Sequence, residues 1–357
     1  MSKTNYKRLG DYIREVDVRN RDLKVTKLLG LSMTKQFRPS TSNIVGVDLS
    51  KYKVVDKNVF AFDPMSVIRV HKVPIALNSD NLPIIVSPAY ITFKSIDENI
   101  LDARYLMMWF RRNEFDRYAD FKSDASVRGG YNWNELCETQ IILPPIDQQR
   151  KIVAEYNAIQ QRIKLNEQLI VKLEETAQAI YRKMFVDGID KNNLPEGWRM
   201  GTLGEIADFK NGKATKLSNG IIPVYGGNGI VGYTNTFNTE NVVVIGRVGI
   251  NCGNAILEPN KCWVNDNAIM TMSKSDNIHF LYWLIREMDL NSQSEGSGQP
   301  LLTQAVLNQQ YCIIPDFCKI ESFDNKAKAL ALNTFIKQSE IVKLNELQSL
   351  ILAKMGK

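Results

Sequence analysis

Histidine and cysteine are scarce in this chain. Only His71 and His279 occur in 357 residues, and the five cysteines (137, 252, 262, 312 and 318) form no CxxC pair. Structural zinc sites need closely spaced Cys and His ligands, so the common zinc modules are excluded. An odd, scattered set of cysteines reads as reduced thiols rather than a disulfide framework. Long apolar runs are missing too, none approaching the roughly 18 residues of a membrane span. The opening stretch, MSKTNYKRLGDYIREV, lacks the apolar centre of a secretory signal. These absences predict a cytoplasmic protein, neither secreted nor membrane-spanning. No basic tail is present, so folding must assemble any electrostatic footprint from the net charge of +6.

Catalytic signatures are equally sparse. GNGIVG (227–232) matches GxGxxG and follows a plausible strand, but YTNTFNTEN comes next, where a dinucleotide site needs a helix. It reads as a turn. ADFKNGKA (207–214) resembles a phosphate loop but has Ala207 for its first glycine and Ala214 for the magnesium-binding Ser or Thr. An adenine methyltransferase needs Asn/Asp-Pro-Pro-aromatic, whereas the one Pro-Pro lies between Leu143 and Ile146. No clear Asp…Glu-x-Lys nuclease cluster is found. His71 has no obvious catalytic partner and reads as structural or phosphate-facing.

What the chain does have is repetition. IVKLEE at Ile170 returns as IVKLNE at Ile341, and IILPP at Ile141 returns as CIIPD at Cys312, both at an offset of 171. LGDYI at Leu9 returns as LGEIA at Leu203, at an offset of 194. One architecture therefore runs twice, the second copy about 23 residues shorter in its front part.

The end of the first copy carries a heptad pattern. Ile152, Tyr156, Ile159, Ile163, Asn166, Ile170, Leu173, Ala177, Ile180 and Met184 alternate spacings of four and three. A seam repeating every 3.5 residues lets two helices supercoil, and a single polar seam residue such as Asn166 can set register. Pro144-Pro145 stops the preceding strand, and Asp147 is the expected N-cap. A helix of about 38 residues spans roughly 57 Å. Its echo is less regular. Ile341, Leu344, Ile351 and Met355 hold matching positions, Thr334, Lys337 and Gln348 interrupt, and Leu330, Leu347 and Leu350 are nearby residues to carry the packing instead.

The expected fold is α/β (α+β): two mixed domains, each followed by a long helix. The two helices are expected to pair as an antiparallel coiled coil with pseudo-twofold symmetry. The boundaries are 1–145 for the first domain, 146–185 for its helix, 186–197 for a turn-rich linker, 198–318 for the second domain and 319–357 for the last helix. Polar, glycine-rich loops recur in both copies. Taken singly, each reads more simply as a solvated turn. Together they place Lys35, Arg38, Arg69, Lys72 and Arg128 in the first copy, and Lys210, Lys213, Lys216, Arg247, Asn251 and Gln299 in the second. Side chains of these types contact phosphates and base edges, which makes these residues DNA-binding candidates.

ILPPIDQQRKIV, LPEGWRMGTLGEIADFKNGKA, GRVGINCGNAIL with WVNDNAI, and GSGQPLLTQAVL ahead of IIP occur in this order. With them the chain resembles, over nearly its whole length, the specificity subunit of a type I DNA restriction–modification enzyme. It departs at Gln148, where the family usually has glutamate, and the second copy of that run, IPDFCK, is degenerate. The resemblance implies two target recognition domains reading the halves of an asymmetric, bipartite site in double-stranded DNA, with the paired helices as spacer. It implies two methyltransferase subunits as partners and a restriction/translocase subunit as a further one. The chain itself would be non-catalytic and without cofactor, S-adenosylmethionine being held by the methyltransferase. Two other classes remain: a coiled-coil scaffold or DNA-binding protein without a modification partner, and an enzyme in its own right, which the missing signatures disfavour.

Overall fold

A computed structural model describes residues 6–41, 46–124, 131–249, 252–288, 290–292 and 301–356. The chain divides into two compact units, one formed by Met1–Leu165 with Glu340–Lys357 and the other by Asn166–Ser339. No helix among the described residues is long and apolar enough to cross a membrane.

In the first unit a four-stranded antiparallel sheet runs in the order Ile13–Glu15, Ile91–Ser95, Phe60–Phe62, Ile75–Leu77. Alternate residues of these strands face the helix Ala103–Phe110, whose N-cap Asp102 accepts from the backbone of Arg104 and Tyr105. The meeting point is aromatic. Phe60 stacks on Phe93 at 4.8 Å, and Phe110 meets both edge-on. A short ribbon, Tyr6–Arg8 against Gln140–Ile142, pairs the first described residues with the strand just before the long helix.

The second unit repeats this plan. Its sheet runs Ala207–Asn211, Ala268–Ser273, Val242–Gly246, Ala255–Glu258, and the helix Ile278–Glu287 packs on it through Phe280, Leu281 and Leu284. The ribbon pairs Arg199–Thr202 with Tyr311–Ile314, again directly before a long helix. Strand order, ribbon and helix placement thus match between the units. The smaller sheets do not. The first unit has two separate strand pairs, whereas the second has the hairpin Ile222–Gly226/Gly229–Thr234 with Trp263–Val264 alongside.

The first long helix is Ile146–Phe185. Between 157 and 176 its covered positions are Ile159, Ile163, Asn166, Ile170 and Leu173, and every other side chain there is exposed. The helix starts two residues earlier than an Asp147 cap requires. The Pro145 carbonyl accepts from Gln148 and Gln149, so Pro145 is the cap, and Asp147 sits in the first turn. A carboxylate there favours the positive end of the helix dipole.

The second long helix is Phe317–Lys354, beginning two residues ahead of the expected 319. Asp316 explains this. Its side chain accepts from Lys319 N at 3.0 Å and from Trp198 Nε1 at 3.1 Å, and its carbonyl accepts from Lys319 N and Ile320 N as the Pro145 carbonyl does from Gln148 and Gln149. Covered positions recur at 320, 323, 327, 330, 334, 337, 341, 344, 348, 351 and 355. The heptad therefore runs straight through Thr334, Lys337 and Gln348. Leu330 is on it, but Leu347 and Leu350, expected to take over the packing, are 46% and 58% exposed.

Within the first unit, Val153 and Tyr156 share a core with Ile351 and Met355, and Arg162 Nε meets Glu340 Oε1 at 2.7 Å. Within the second, Tyr181 and Phe185 surround Phe323 at 5.4 and 5.5 Å. In the first unit rising numbers on one helix meet falling numbers on the other, which is antiparallel pairing.

One buried amide fastens the first long helix. Gln149 is 0% exposed. Its Nε2 donates to the carbonyls of Ile100 and Pro144, each at 2.8 Å, and its Oε1 accepts from Asp102 N at 3.0 Å. Gln149→Ala orphans one buried and two part-buried backbone groups and should cost about 2–3 kcal/mol. Gln148→Ala, one residue away and exposed, should cost under about 0.5 kcal/mol. Denaturant melts of the two variants compare them, and equal stabilities would sink this account. Asn166 presents the opposite case: it is 3% exposed and its Nδ2 has no hydrogen-bond partner among the described residues. Asn166→Leu should raise stability by about 1–2 kcal/mol and loosen helix register, which crosslinking across the seam would report. A less stable variant would show that the amide is satisfied in solution.

Candidate nucleic-acid interface

In the first unit the hairpin Leu29–Leu31/Phe37–Pro39 turns through Ser32–Gln36, with Lys35 in the left-handed region at φ +59°. That backbone turn sends Lys35 inward. The residue is 5% exposed, and its Nζ donates to Asp116 Oδ1 at 2.8 Å and to the Phe110 carbonyl. Burial pushes the ammonium's pKa down, and the Asp116 carboxylate pushes it part of the way back. Arg38, on the returning strand, is exposed. It donates to the Leu31 and Pro39 carbonyls and to Thr41, with no carboxylate beside it among the described residues.

Arg69 and Lys72 are both exposed and flank His71, which is also left-handed at φ +53°. This loop is held by the same helix that holds Lys35. Asp116 accepts from Val73 N at 3.0 Å, and Asp120, one turn later, meets His71 Nδ1 at 2.9 Å. Two carboxylates on one face of Asn113–Asp124 thus fix both cation-bearing loops. Asp116 and Asp120 escaped the sequence reading. Their i, i+4 spacing was visible, but their partners lie up to 81 residues away. Arg128 lies outside the described residues.

In the second unit the loops converge on the turn 264–267 of WVNDN. Lys213 N donates to Val264 O, Asn265 N to Tyr225 O, and Arg247 N to Asn267 O. Trp263 Nε1 closes the set by donating to Lys213 O at 2.6 Å. Gly212 is required here, since a Cβ would fall 1.9 Å from the Asn265 carbonyl oxygen. Lys210 on the edge strand and Lys213 and Lys216 on the following loop are exposed, and none is paired with an acid among the described residues. Arg247 is half-buried. Its Nη1 reaches the Asp266 carbonyl at 3.5 Å while its Nε has no partner among the described residues. Asn251 and Gln299 lie outside the described residues. GNGIVG closes the hairpin Ile222–Gly226/Gly229–Thr234, with Gly229 at φ +103°.

The structure therefore presents Arg38, Arg69 and Lys72 on one unit and Lys210, Lys213 and Lys216 on the other as outward cations on anchored loops. Such groups suit phosphate contacts, while neighbouring Asn and Arg side chains suit base edges. The buried cysteines offer little chemistry: burial pushes the Cys262 thiol up to about 12 and the Cys312 thiol to about 11. No group of three or more His, Cys, Asp or Glu able to hold a metal occurs among the described residues.

Residues 195–351 match the family described as the type I restriction modification DNA specificity domain. No curated protein matches the chain. Among solved structures, the S subunit of a type I restriction-modification system from M. genitalium aligns with a TM-score of 0.63 at 16% identity, over 99% of this chain and 97% of that one. A structure described as showing complex assembly and conformational transition of the type I R-M system aligns at 0.50 and 18% identity, over 99% and 97%. At these identities the likeness is one of fold.

Lys35→Met leaves the Asp116 carboxylate in the core without its cation and should cost about 3 kcal/mol or more. Arg69→Ala and Lys72→Ala should each stay within about 0.5 kcal/mol of the parent. Thermal and denaturant melts separate the two classes. A Lys35→Met protein as stable as the parent would mean that the inward ion pair does not form.

Proposed function

We propose, from the premise that residues 195–351 are a type I restriction modification DNA specificity domain, that the whole chain directs such an enzyme to a two-part DNA target. Each unit reads one part, and the long helices serve as the spacer element. The observation that carries this reading is the repeated framework. Both units build the same ribbon, sheet and helix, yet they hold differently composed, cation-bearing loops. Identical frameworks give identical presentation, and different loops give different base preferences, so the target should be asymmetric.

The chain supplies the address and not the chemistry. A methyltransferase subunit that holds S-adenosylmethionine and extrudes the target adenine would supply methylation. The long helices have room for such a partner. Leu347 and Leu350 in the first unit, and Leu332, Phe335 and Ile336 in the second, are exposed by 46 to 59%, as are Leu165, Val171, Phe317 and Val342 elsewhere on the long helices. Apolar side chains in such rows are suited to cover by another chain.

Expressing the chain with its cognate methyltransferase, and sequencing host DNA for N6-methyladenine, should show an asymmetric two-part motif that is absent with the methyltransferase alone. A stable complex with no new motif would favour the scaffold reading instead. Lys213→Ala with Lys216→Ala should weaken binding to every duplex. It should also flatten the slope of log affinity against log salt by about 1 for each phosphate that is no longer neutralised. An unchanged slope would remove these two lysines from the interface.

A further inference from the structure

A cavity of about 630 Å³ opens in the first unit, bounded by the hairpin Leu29–Leu31/Phe37–Pro39, the helix Ala103–Phe110 and the first half of the long helix Ile146–Phe185. Its floor is apolar, formed by Leu29, Phe37, Leu77, Met107 and Met108. Its rim is cationic, formed by Lys27, Arg38, Arg104 and Arg111, and Asp80 is the one carboxylate on the lining among the described residues. Arg104 is paired with Asp102 at 2.7 Å. Among the described residues, Lys27, Arg38 and Arg111 have no acid within ion-pair distance; Arg111 lies over the Tyr156 ring, 5.7 Å from its centre. Asn157 and Gln160, exposed and three apart on the long helix, complete one wall with amide donors and acceptors.

By itself the protein gains nothing from this arrangement. The unpaired cations repel one another, and the half-buried Leu29, Phe37 and Leu77 leave apolar surface in water. A ligand that relieves both needs an apolar body for the floor and a concentrated negative charge for the rim. A duplex backbone fits poorly, because it is convex and offers phosphates with little apolar surface. A single unstacked base with its phosphate fits well. The half-buried Leu29, Phe37 and Leu77 offer an apolar face to a flat ring, arginine grips phosphate oxygens in pairs, and small-ligand sites measure about 300–1,000 Å³.

We propose that this cavity binds a nucleoside phosphate of mononucleotide size, with Arg38 as the one rim cation it shares with the candidate interface. The proposal does not depend on the chain's being a DNA reader, and its test stands apart from that question. Calorimetric titration of the full chain with AMP, GMP, CMP and UMP should give saturable binding by at least one of them. Adenosine and inorganic phosphate, used alone, should bind at least about tenfold more weakly than that nucleotide. Lys27→Glu, at an exposed position that leaves the fold intact, and Arg111→Gln should each weaken the nucleotide by about tenfold. Excess duplex DNA should not displace it.

Four results would overturn the proposal. Absence of saturation by any nucleotide up to about 5 mM would leave no site to explain. Equal affinity for inorganic phosphate would mean that the floor is unused. Displacement by duplex would assign the cavity to the DNA path. Unchanged affinity in both variants would place the nucleotide elsewhere.

Discussion

A polar group taken out of water has to be paired inside the protein, and the first unit is organised around one such group. Gln149 sits at the first turn of a 40-residue helix with no exposure to solvent. Its amide joins the Pro-Pro strand end, the loop at Ile100 and the cap of the helix Ala103–Phe110. Position and direction of the long helix follow from those three bonds, because each is lost if the helix rotates or slides. The second unit meets the same need with carboxylates. Asp316 ties the helix start to Trp198, and Asp324, two turns on, accepts from Phe280 N at the start of the sheet-packing helix. The corresponding sequence run looks degenerate because its function has moved to other residues.

This division explains which parts were legible in the sequence. The first long helix was readable because its covered and exposed positions follow one period almost without exception. The second was harder, since Thr334, Lys337 and Gln348 occupy covered positions that a hydrophobic pattern skips. Leucines at 347 and 350 then drew attention to the wrong face. The strands at 84–86 and 242–246 are β-branched runs of the kind that a sequence alone marks. The resemblance to a type I specificity subunit was also evident, carried by ordered motifs along both copies.

The candidate interface was legible only in outline. A basic loop residue looks the same in sequence whether it faces water or an aspartate, so Lys35 read as outward like Arg38. The deciding facts are tertiary: a left-handed backbone at Lys35, and Asp116 brought up from far along the chain. The turn at 264–267 was visible as a family motif, but not as the anchor for three separate loops. Anchoring of this kind lets the loops differ between units while the framework stays constant. In the first unit it also couples two loops to one helix face, so a change at Asp116 would disturb both.

The ribbons have a consequence for chain length. Each pairs the strand that enters a globular part with the strand that leaves it, so everything between is, in polymer terms, one closed loop. Closure entropy grows only with the logarithm of loop length, and each doubling costs about 0.6 kcal/mol. The 23-residue difference between the two copies therefore costs only about 0.2 kcal/mol. Insertions and deletions within the globular part are nearly free in energy so long as the ribbon can close. The loops can drift in length and composition while the helix they feed keeps its phase.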